Sequence, residues 1–152
     1  MLRTWDLDSL NFRRFVDQHH APVIMQVLPA LNSGGVEQGV IDINAAIMQA
    51  GGHSIVVSSG GKRVHEITKA GGTHIEMSVQ SKNPLVMAAN VGRLRKIIRE
   101  MNVDIVHACS RAPAWSTGRA VVGTKARYVT SCHAAHKIEG TLKRMYNASI
   151  AK

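Results

Sequence analysis

The stretch VIMQVLPALNSGGVE, residues 23–37, decides the fold class of this chain. It opens with apolar and β-branched residues, as a buried strand does, and then carries two adjacent glycines, Gly34 and Gly35, where a helix is expected to begin. A turn without side chains lets the backbone approach a bound molecule closely, and the unpaired N–H groups of a first helical turn attract anions such as a diphosphate. We therefore expect the chain to start with a strand–turn–helix unit of the nucleotide-binding type.

The same alternation of strand and helix continues along the chain. We expect strands, buried on both faces, at Val23–Leu28, His53–Ser58, Thr73–Met77, Val103–His107 and Arg127–Ser131. We expect helices at Gly35–Ala50, Val64–Ala70, Pro84–Met101, Ala112–Val122 and Gly140–Ile150. Strict alternation with short connections predicts an α/β domain with a doubly wound parallel sheet, Rossmann-like, over residues 22–152.

Residues 1–21 precede this domain, and we expect them to form an N-terminal helical arm. Their apolar residues are spaced to share one face of a short helix. These residues are Leu7, Leu10, Phe12, Phe15 and Val16. A flexible arm is the alternative for this segment.

Composition indicates one ordinary folded domain. The chain has 152 residues, of which 45% are hydrophobic and 19% charged. No apolar run approaches the roughly 18 residues of a membrane-spanning helix, and Met1–His20 lacks the continuous apolar stretch of a signal peptide. Two cysteines, Cys109 and Cys132, form no disulfide framework and indicate reduced thiols. We therefore expect a cytoplasmic location.

Positive charge is concentrated in the second half of the chain. Residues 1–81 hold six Lys and Arg against seven Asp and Glu, whereas residues 82–152 hold thirteen against three. Such asymmetry predicts an anionic partner. Aromatic residues are only 4% of the chain and no RNA-binding signature is present, so nucleic acid is disfavoured as that partner.

Ligands of open α/β sheets bind outside the carboxyl ends of the strands, which selects two further segments. Ser110 and Arg111 follow the fourth strand, and an arginine beside a helix N-terminus can grip a phosphate or carboxylate with two parallel N–H bonds. Lys82 and Asn83 follow the third strand and offer more donors. The alternatives are structural: Arg111 bonds helix-end carbonyls or solvent, and Asn83 caps the helix that begins at Pro84.

The double-glycine turn alone is a weak signal. It lacks the G-x-G-x-x-G spacing of a dinucleotide fingerprint, and the chain has no G-x-x-x-x-G-K-[ST] phosphate loop, so we expect no nicotinamide or other cofactor. Close packing of the helix against its strand is an equally good explanation of Gly34 and Gly35.

A histidine, His133, follows the fifth strand almost at once. It is well placed to hydrogen-bond a sugar or phosphate oxygen in the crevice, or else its ring bonds a neighbouring loop. His107, Cys109 and Cys132 lie nearby in the sequence, but their spacing matches no structural zinc pattern, so we expect no metal site.

The helix at Pro84–Met101 is amphipathic. Its core-facing positions are Met87, Val91, Leu94, Ile98 and Met101. The opposite face carries Arg95, Lys96 and Arg99, and the final helix adds Lys143 and Arg144. A solvated charged face is the usual meaning, and contact with an anionic membrane surface is the alternative.

Four segments in this order resemble the N-terminal domain of bacterial glycosyltransferases of the retaining, two-Rossmann-domain (GT-B) class. The resemblance is greatest to the lipopolysaccharide-core branch of glycosyltransferase family 4, and it covers roughly residues 22–150. The segments are VLPALNSGGVEQGVIDI, SKNPLVM, DIVHACSRAPAW, and YVTSCHAAH followed by LKRMYN.

This resemblance implies a role for each candidate residue. Gly34 and Gly35 would approach the diphosphate of a nucleotide-sugar donor, and His133, as the catalytic histidine, would touch the transferred sugar. The acceptor, a lipopolysaccharide or other glycolipid, would be lined by Lys82, Asn83, Ser110 and Arg111. The class also needs a C-terminal donor-binding domain, which we expect this chain to lack, so we expect the isolated chain to be inactive.

The residues also allow a hypothesis from a different functional class, a binding protein without catalytic activity. The alternative is a basic α/β module that binds anionic lipid or a nucleotide without catalysis. The expected location is cytoplasmic, and a peripheral position on the inner face of the membrane is the variant that contact with anionic lipid would give.

Overall fold

A computed structural model describes residues 21–131 of the chain. Within this range the chain forms five strands and four helices in strict alternation. In chain order they are β1 (Val23–Val27), α1 (Gly35–Gln49), β2 (His53–Ser58), α2 (Val64–Lys69), β3 (Thr73–Glu76), α3 (Pro84–Glu100), β4 (Ile105–Ala108), α4 (Arg111–Val121) and β5 (Arg127–Thr130). The N-terminal arm, the helix expected at Gly140–Ile150, His133, Lys143 and Arg144 lie outside the described residues.

All strand pairs are parallel, and the strand order is β3-β2-β1-β4-β5. The chain thus winds outward from β1 in one direction to β3 and then returns to wind outward from β4 in the other. The prediction of a doubly wound, Rossmann-like parallel sheet is confirmed.

Side chains from the two faces of the sheet form two separate cores. On one face, strand residues such as Met25 and Val106 pack with Leu94 and Ile98 of α3 and with Ala120 of α4. On the other face, Leu28 just after β1 and Val56 of β2 pack with residues of the first two helices. These are Val40 and Ile41 of α1 and Ile67 of α2. The alternation of strand side chains therefore places α1 and α2 on one face of the sheet and α3 and α4 on the other.

The sequence predicts five strands that are buried on both faces, but two of them are partly exposed. β3 and β5 lie at the two edges of the described sheet, and the side chains of Thr73, Glu76 and Arg127 are exposed. Val129 of β5 is also 49% exposed. The prediction failed because burial depends on the position of a strand in the sheet, which its own composition does not give.

The observed boundaries differ from the expected ones by one or two residues. β4 begins at Ile105 rather than at Val103, and Asp104 before it uses a carboxylate oxygen to accept a 2.7 Å hydrogen bond from the N–H of Val23. α4 begins at Arg111 rather than at Ala112, so Arg111 is part of the helix.

Two residues of α3 differ from their expected placement. Met101 was expected to face the core, but it follows the last residue of α3 and is 39% exposed. Arg95 was expected on the solvated face, but it is half-buried and its guanidinium donates to the carbonyls of Arg119 (2.7 Å) and Ala120 (3.3 Å). Arg95 therefore ties α3 to the last turn of α4, whose carbonyls have no partners within their own helix.

Candidate functional site

The reversal of strand order lies between β1 and β4, and it defines the candidate site. The loops that leave the carboxyl ends of these neighbouring strands run in opposite directions around the sheet, which opens a crevice where open α/β sheets bind ligands. The loop after β1 ends at Gly34 and Gly35, and the loop after β4 contains Ser110 and Arg111. Two of the predicted site segments thus follow the two neighbouring strands that border this crevice.

The Gly34–Gly35 turn is open. Gly34 precedes α1 with extended backbone angles (φ 162°, ψ 170°), and Gly35 is the first helical residue. Among the described residues, a Cβ atom on Gly35 would meet no atom within 4 Å, and a Cβ on Gly34 would meet the flexible end of the Glu37 side chain. Residues 21–131 therefore leave room for another molecule to approach the backbone of this turn.

The loop after β1, which contains this turn, is hydrogen-bonded to the loop after β2. The N–H of Leu31 donates to the carbonyl of Gly60 (2.8 Å), and the carbonyl of Leu31 accepts from the N–H of Arg63 (2.9 Å). Ser59 bonds the carbonyl of Pro29 through its N–H (3.0 Å) and its hydroxyl (2.7 Å). A Cβ on Gly61 would overlap the backbone of Leu31. The Gly34–Gly35 turn therefore rests on a fixed support.

An ion pair strengthens that support. Arg63 donates two hydrogen bonds to Glu66, at 2.6 and 2.9 Å, and a third to Gln38 of α1 at 2.8 Å. The hydrogen bonds between Arg63 and Glu66 raise the pKa of Arg63 and lower that of Glu66. The start of α2 is thereby joined to the first turn of α1.

Ser110 and Arg111 begin the second helix at the crevice. Ser110 is the N-cap residue of α4, in extended conformation, and Arg111 opens the first turn. Both are half-buried, whereas Pro113 and Ala114 just after them are buried. The first turn of α4 is thus fixed by its apolar residues, and Arg111 stands at the helix end where an anion is favoured.

Asn83 proves to be a helix cap. Its side-chain oxygen accepts a 2.9 Å hydrogen bond from the N–H of Leu85, and Pro84 is the first residue of α3. Lys82 and Asn83 follow β3, which is separated from β1 by β2. They nevertheless lie at the same end of the sheet as Arg111.

The beginnings of α3 and α4 lie side by side. The hydroxyl of Ser116 in α4 donates to the carbonyl of Met87 in α3 at 3.4 Å. This contact places the Lys82–Asn83 segment and the Ser110–Arg111 segment on the α3–α4 face of the sheet, while Gly34 and Gly35 begin a helix on the other face. The acceptor and donor roles that the sequence predicts for these residues stay predictions.

His133 lies outside the described residues, and Ser131 is the last described residue before it. Ser131 follows β5, and its N–H donates to the carbonyl of Ala108 at 3.0 Å. Its hydroxyl lies 2.9 Å from Nε2 of His107.

Ser131 and His107 also line a cavity of about 150 Å³ between α1 and the ends of β4 and β5. The α1 side of this cavity is formed by Gly35, Val36, Gly39, Val40 and Ile43, and the strand side by His107, Cys109 and Ser131. The double-glycine turn and the end of β5 thus share one cavity, although they are far apart in sequence. Ser131 lies at the carboxyl end of the fifth strand, where the rule for open α/β sheets places candidate site residues, whereas its contact with His107 has no signal in the sequence.

The thiol of Cys109 is unsuited to chemistry at this cavity. Burial raises its pKa to about 12, so the sulfur keeps its proton at neutral pH. Its Sγ lies 3.6 Å from Nδ1 of His107. Within residues 21–131, no group of three or more His, Cys, Asp or Glu side chains is placed to hold a metal ion.

Over the part of the chain that the structure describes, no helix is both long enough and apolar enough to cross a bilayer.

Comparison with known families decides the classification. Residues 33–151, most of the chain, match the sequence profile of Glycosyltransferase Family 4. The chain belongs to this family. The match includes the two glycines, Lys82, Arg111 and His133, so all predicted site residues fall within the family region.

A solved structure supports the same conclusion. The chain is similar to a glycosyltransferase from Rickettsia africae ESF-5, with a TM-score of 0.75 and 42% sequence identity over 86% of this chain. That alignment covers 34% of the Rickettsia protein, so the present chain spans about a third of its length. No curated protein sequence gave a significant match. The family 4 assignment therefore rests on the family profile and on the solved structure.

Proposed function

We propose that this family 4 chain forms the acceptor-side part of a glycosyltransferase that moves a sugar from a nucleotide-sugar donor to a lipopolysaccharide or glycolipid acceptor. The observation that carries the proposal is the open turn at Gly35. Among the described residues its backbone is unobstructed, and it begins a helix at the switch point of the sheet, after the strand that neighbours the one preceding Arg111.

The donor diphosphate binds at the start of α1. The free N–H groups of a first helical turn and the helix dipole stabilise the negative charge that develops when the diphosphate leaves. The acceptor attacks the anomeric carbon of the donor sugar, and the product keeps the anomeric configuration of the donor. No protein nucleophile takes part, and His133 contacts the transferred sugar. The second half of the donor site is supplied by a C-terminal domain, which is consistent with the coverage of the Rickettsia protein.

The exposed residues at the start of α3 support a lipid-linked acceptor. Leu85 is 80% exposed there, directly after the exposed residues Lys82 and Asn83. A protruding leucine beside a lysine suits contact with acyl chains and anionic headgroups, because apolar and cationic groups both favour the membrane interface. We therefore place the protein at the cytoplasmic face of the inner membrane.

The direct test is a transfer assay with the full-length protein that carries this chain. Radiolabelled nucleotide sugars are incubated with lipopolysaccharide-core and glycolipid acceptors, and the anomeric configuration of the product is read by NMR. We expect transfer with retention, and no transfer by the 152-residue chain alone. Efficient turnover by the isolated chain, or an inverted product, would contradict the proposal.

The competing proposal of a non-catalytic lipid-binding module has its own support. Lys96 and Arg99 of α3 are exposed, and Lys96 is paired only loosely with Glu100 at 3.8 Å. A full-length protein that sediments with anionic vesicles at low salt but transfers no sugar from any nucleotide-sugar donor would favour this alternative.

A further inference from the structure

The cavity beside Gly35 contains a polar group that the proposed function does not yet use. His107 lies in β4, opposite Gln26 of β1 and Val129 of β5 in the parallel register. Its Nε2 contacts the Ser131 hydroxyl at 2.9 Å, and its Nδ1 lies 3.6 Å from the Cys109 sulfur. The ring is therefore held from both sides, and its orientation is fixed.

Ser131 is fixed in turn by three contacts. Its backbone N–H is bonded to Ala108, and its hydroxyl contacts the His107 ring and the Cys109 thiol. A serine hydroxyl has one donor and two acceptor positions, so these two side-chain contacts leave capacity for one further partner. Ser131 is only partly buried and lines the same cavity as Gly35.

On the basis of the proposed transferase function, we propose that His107 is a positioning residue that holds the Ser131 hydroxyl toward the cavity. There the hydroxyl hydrogen-bonds an oxygen of the donor's sugar-diphosphate portion, next to the backbone of Gly35. A side chain that is already oriented loses little conformational entropy when it binds, which lowers the cost of recognition.

The chain contains a second histidine–serine pair that serves as an internal comparison. Nε2 of His74 lies 2.8 Å from the hydroxyl of Ser58, across the β2–β3 pair. That hydroxyl is fully buried and also accepts a 3.2 Å bond from the N–H of Gly60. It supports the loop after β2 and has no access to the cavity. A variant at His74 therefore disturbs a pair of the same geometry without touching the proposed contact.

The test compares His107→Gln with His107→Asn in the full-length protein. The glutamine amide reaches the position of Nε2 and either donates to or accepts from Ser131, whereas the shorter asparagine cannot reach it. We expect His107→Asn to raise the KM for the nucleotide sugar about tenfold, as loss of one positioned hydrogen bond implies. We expect His107→Gln to stay within about threefold of the unmodified protein and the acceptor KM to be unchanged in both.

Two further variants define the mechanism. Ser131→Ala should match His107→Asn, and the double variant should be no worse than either single one, because both remove the same contact. Equal losses for His107→Gln and His107→Asn, or a donor KM that none of these variants alters, would overturn the proposal.

A measurement that needs no activity separates this inference from the proposed function. Hydrogen exchange of the Ser131 amide should be about tenfold faster in His107→Asn than in the unmodified protein, but not in His107→Gln or His74→Asn. If the unmodified protein transfers no sugar, the proposed function fails while this exchange still decides whether His107 fixes Ser131. Identical exchange in all variants would show that His107 does not fix it.

Discussion

Gly61 lies directly against the backbone of Leu31, so that the loop after β2 supports the loop after β1 without an intervening side chain. Gly61 has φ +139°, a conformation that side-chain-bearing residues rarely adopt. Position 61 therefore has to be glycine for two independent reasons, backbone conformation and space.

The first prediction follows from this contact. Gly61→Ala should lower the free energy of unfolding by at least about 2 kcal/mol, because the added methyl group displaces Leu31 and strains the backbone. Urea denaturation of the 152-residue chain measures the change. Gly92→Ala is the matched control: a Cβ there meets nothing within 4 Å, and alanine in a helix interior should stabilise by about 0.5–1 kcal/mol. Equal stability of the two variants would contradict the support role of Gly61.

The second prediction concerns Gly35, where the reason for glycine is different. Gly35→Ala should change the free energy of unfolding by less than about 0.5 kcal/mol, since the new methyl group contacts no atom of residues 21–131. It should nevertheless raise the donor KM of the full-length protein about tenfold, because the methyl group stands where the diphosphate approaches the backbone. A clear loss of stability with an unchanged KM would instead support close helix packing as the reason for this glycine.

The sequence predicts the order of elements well, because this order depends on local patterns. The periodicities of β1 and α1, the double glycine between them and the Asn83–Pro84 helix start are all readable within a few residues. The rule for open α/β sheets then places the site at strand ends without any knowledge of packing.

What the sequence does not predict depends on contacts between distant segments. Arg95 resembles its neighbours on a charged face until the packing of α3 on α4 brings it to the carbonyl of Arg119. The sequence does not distinguish Gly61 from other loop glycines, because its contact with the backbone of Leu31 forms only in the folded chain. His107 and Ser131 are 24 residues apart, and only the pairing of β4 with β5 brings them together.

The third prediction separates two cations of α3 that look alike in sequence. Arg95→Gln should destabilise the chain by about 1 kcal/mol, because it loses its bonds to the end of α4, and should leave vesicle binding unchanged. Lys96→Gln should weaken vesicle binding and leave the free energy of unfolding unchanged. The Lys96 side chain is 71% exposed, and its ion pair with Glu100 contributes little to stability. Co-sedimentation with anionic vesicles at low and high salt, together with urea denaturation, tests both. Equal effects on vesicle binding would contradict the assignment of Arg95 as a structural residue.

The last prediction uses the buried thiol. Because burial raises the pKa of Cys109 from 9.0 to about 12, the folded chain holds this proton more tightly than the unfolded chain does. Between these two values the unfolded state releases the proton first, so Cys109 should reduce stability as pH rises above 9, by up to about 1.4 kcal/mol per pH unit.

The measurement is urea denaturation at pH 8, 9 and 10, comparing Cys132→Ser with the double variant Cys132→Ser and Cys109→Ala. The comparison matters because burial also raises the pKa of Tyr128, which contributes to the alkaline behaviour of both proteins. The stability difference between the two should shrink as pH rises, since only the first loses the contribution of a protonated Cys109. In the folded Cys132→Ser protein, Cys109 should also resist thiol reagents at pH 8 until the chain unfolds. Rapid modification of the folded protein, or a pH-independent stability difference, would show that Cys109 is accessible as a thiolate at the cavity.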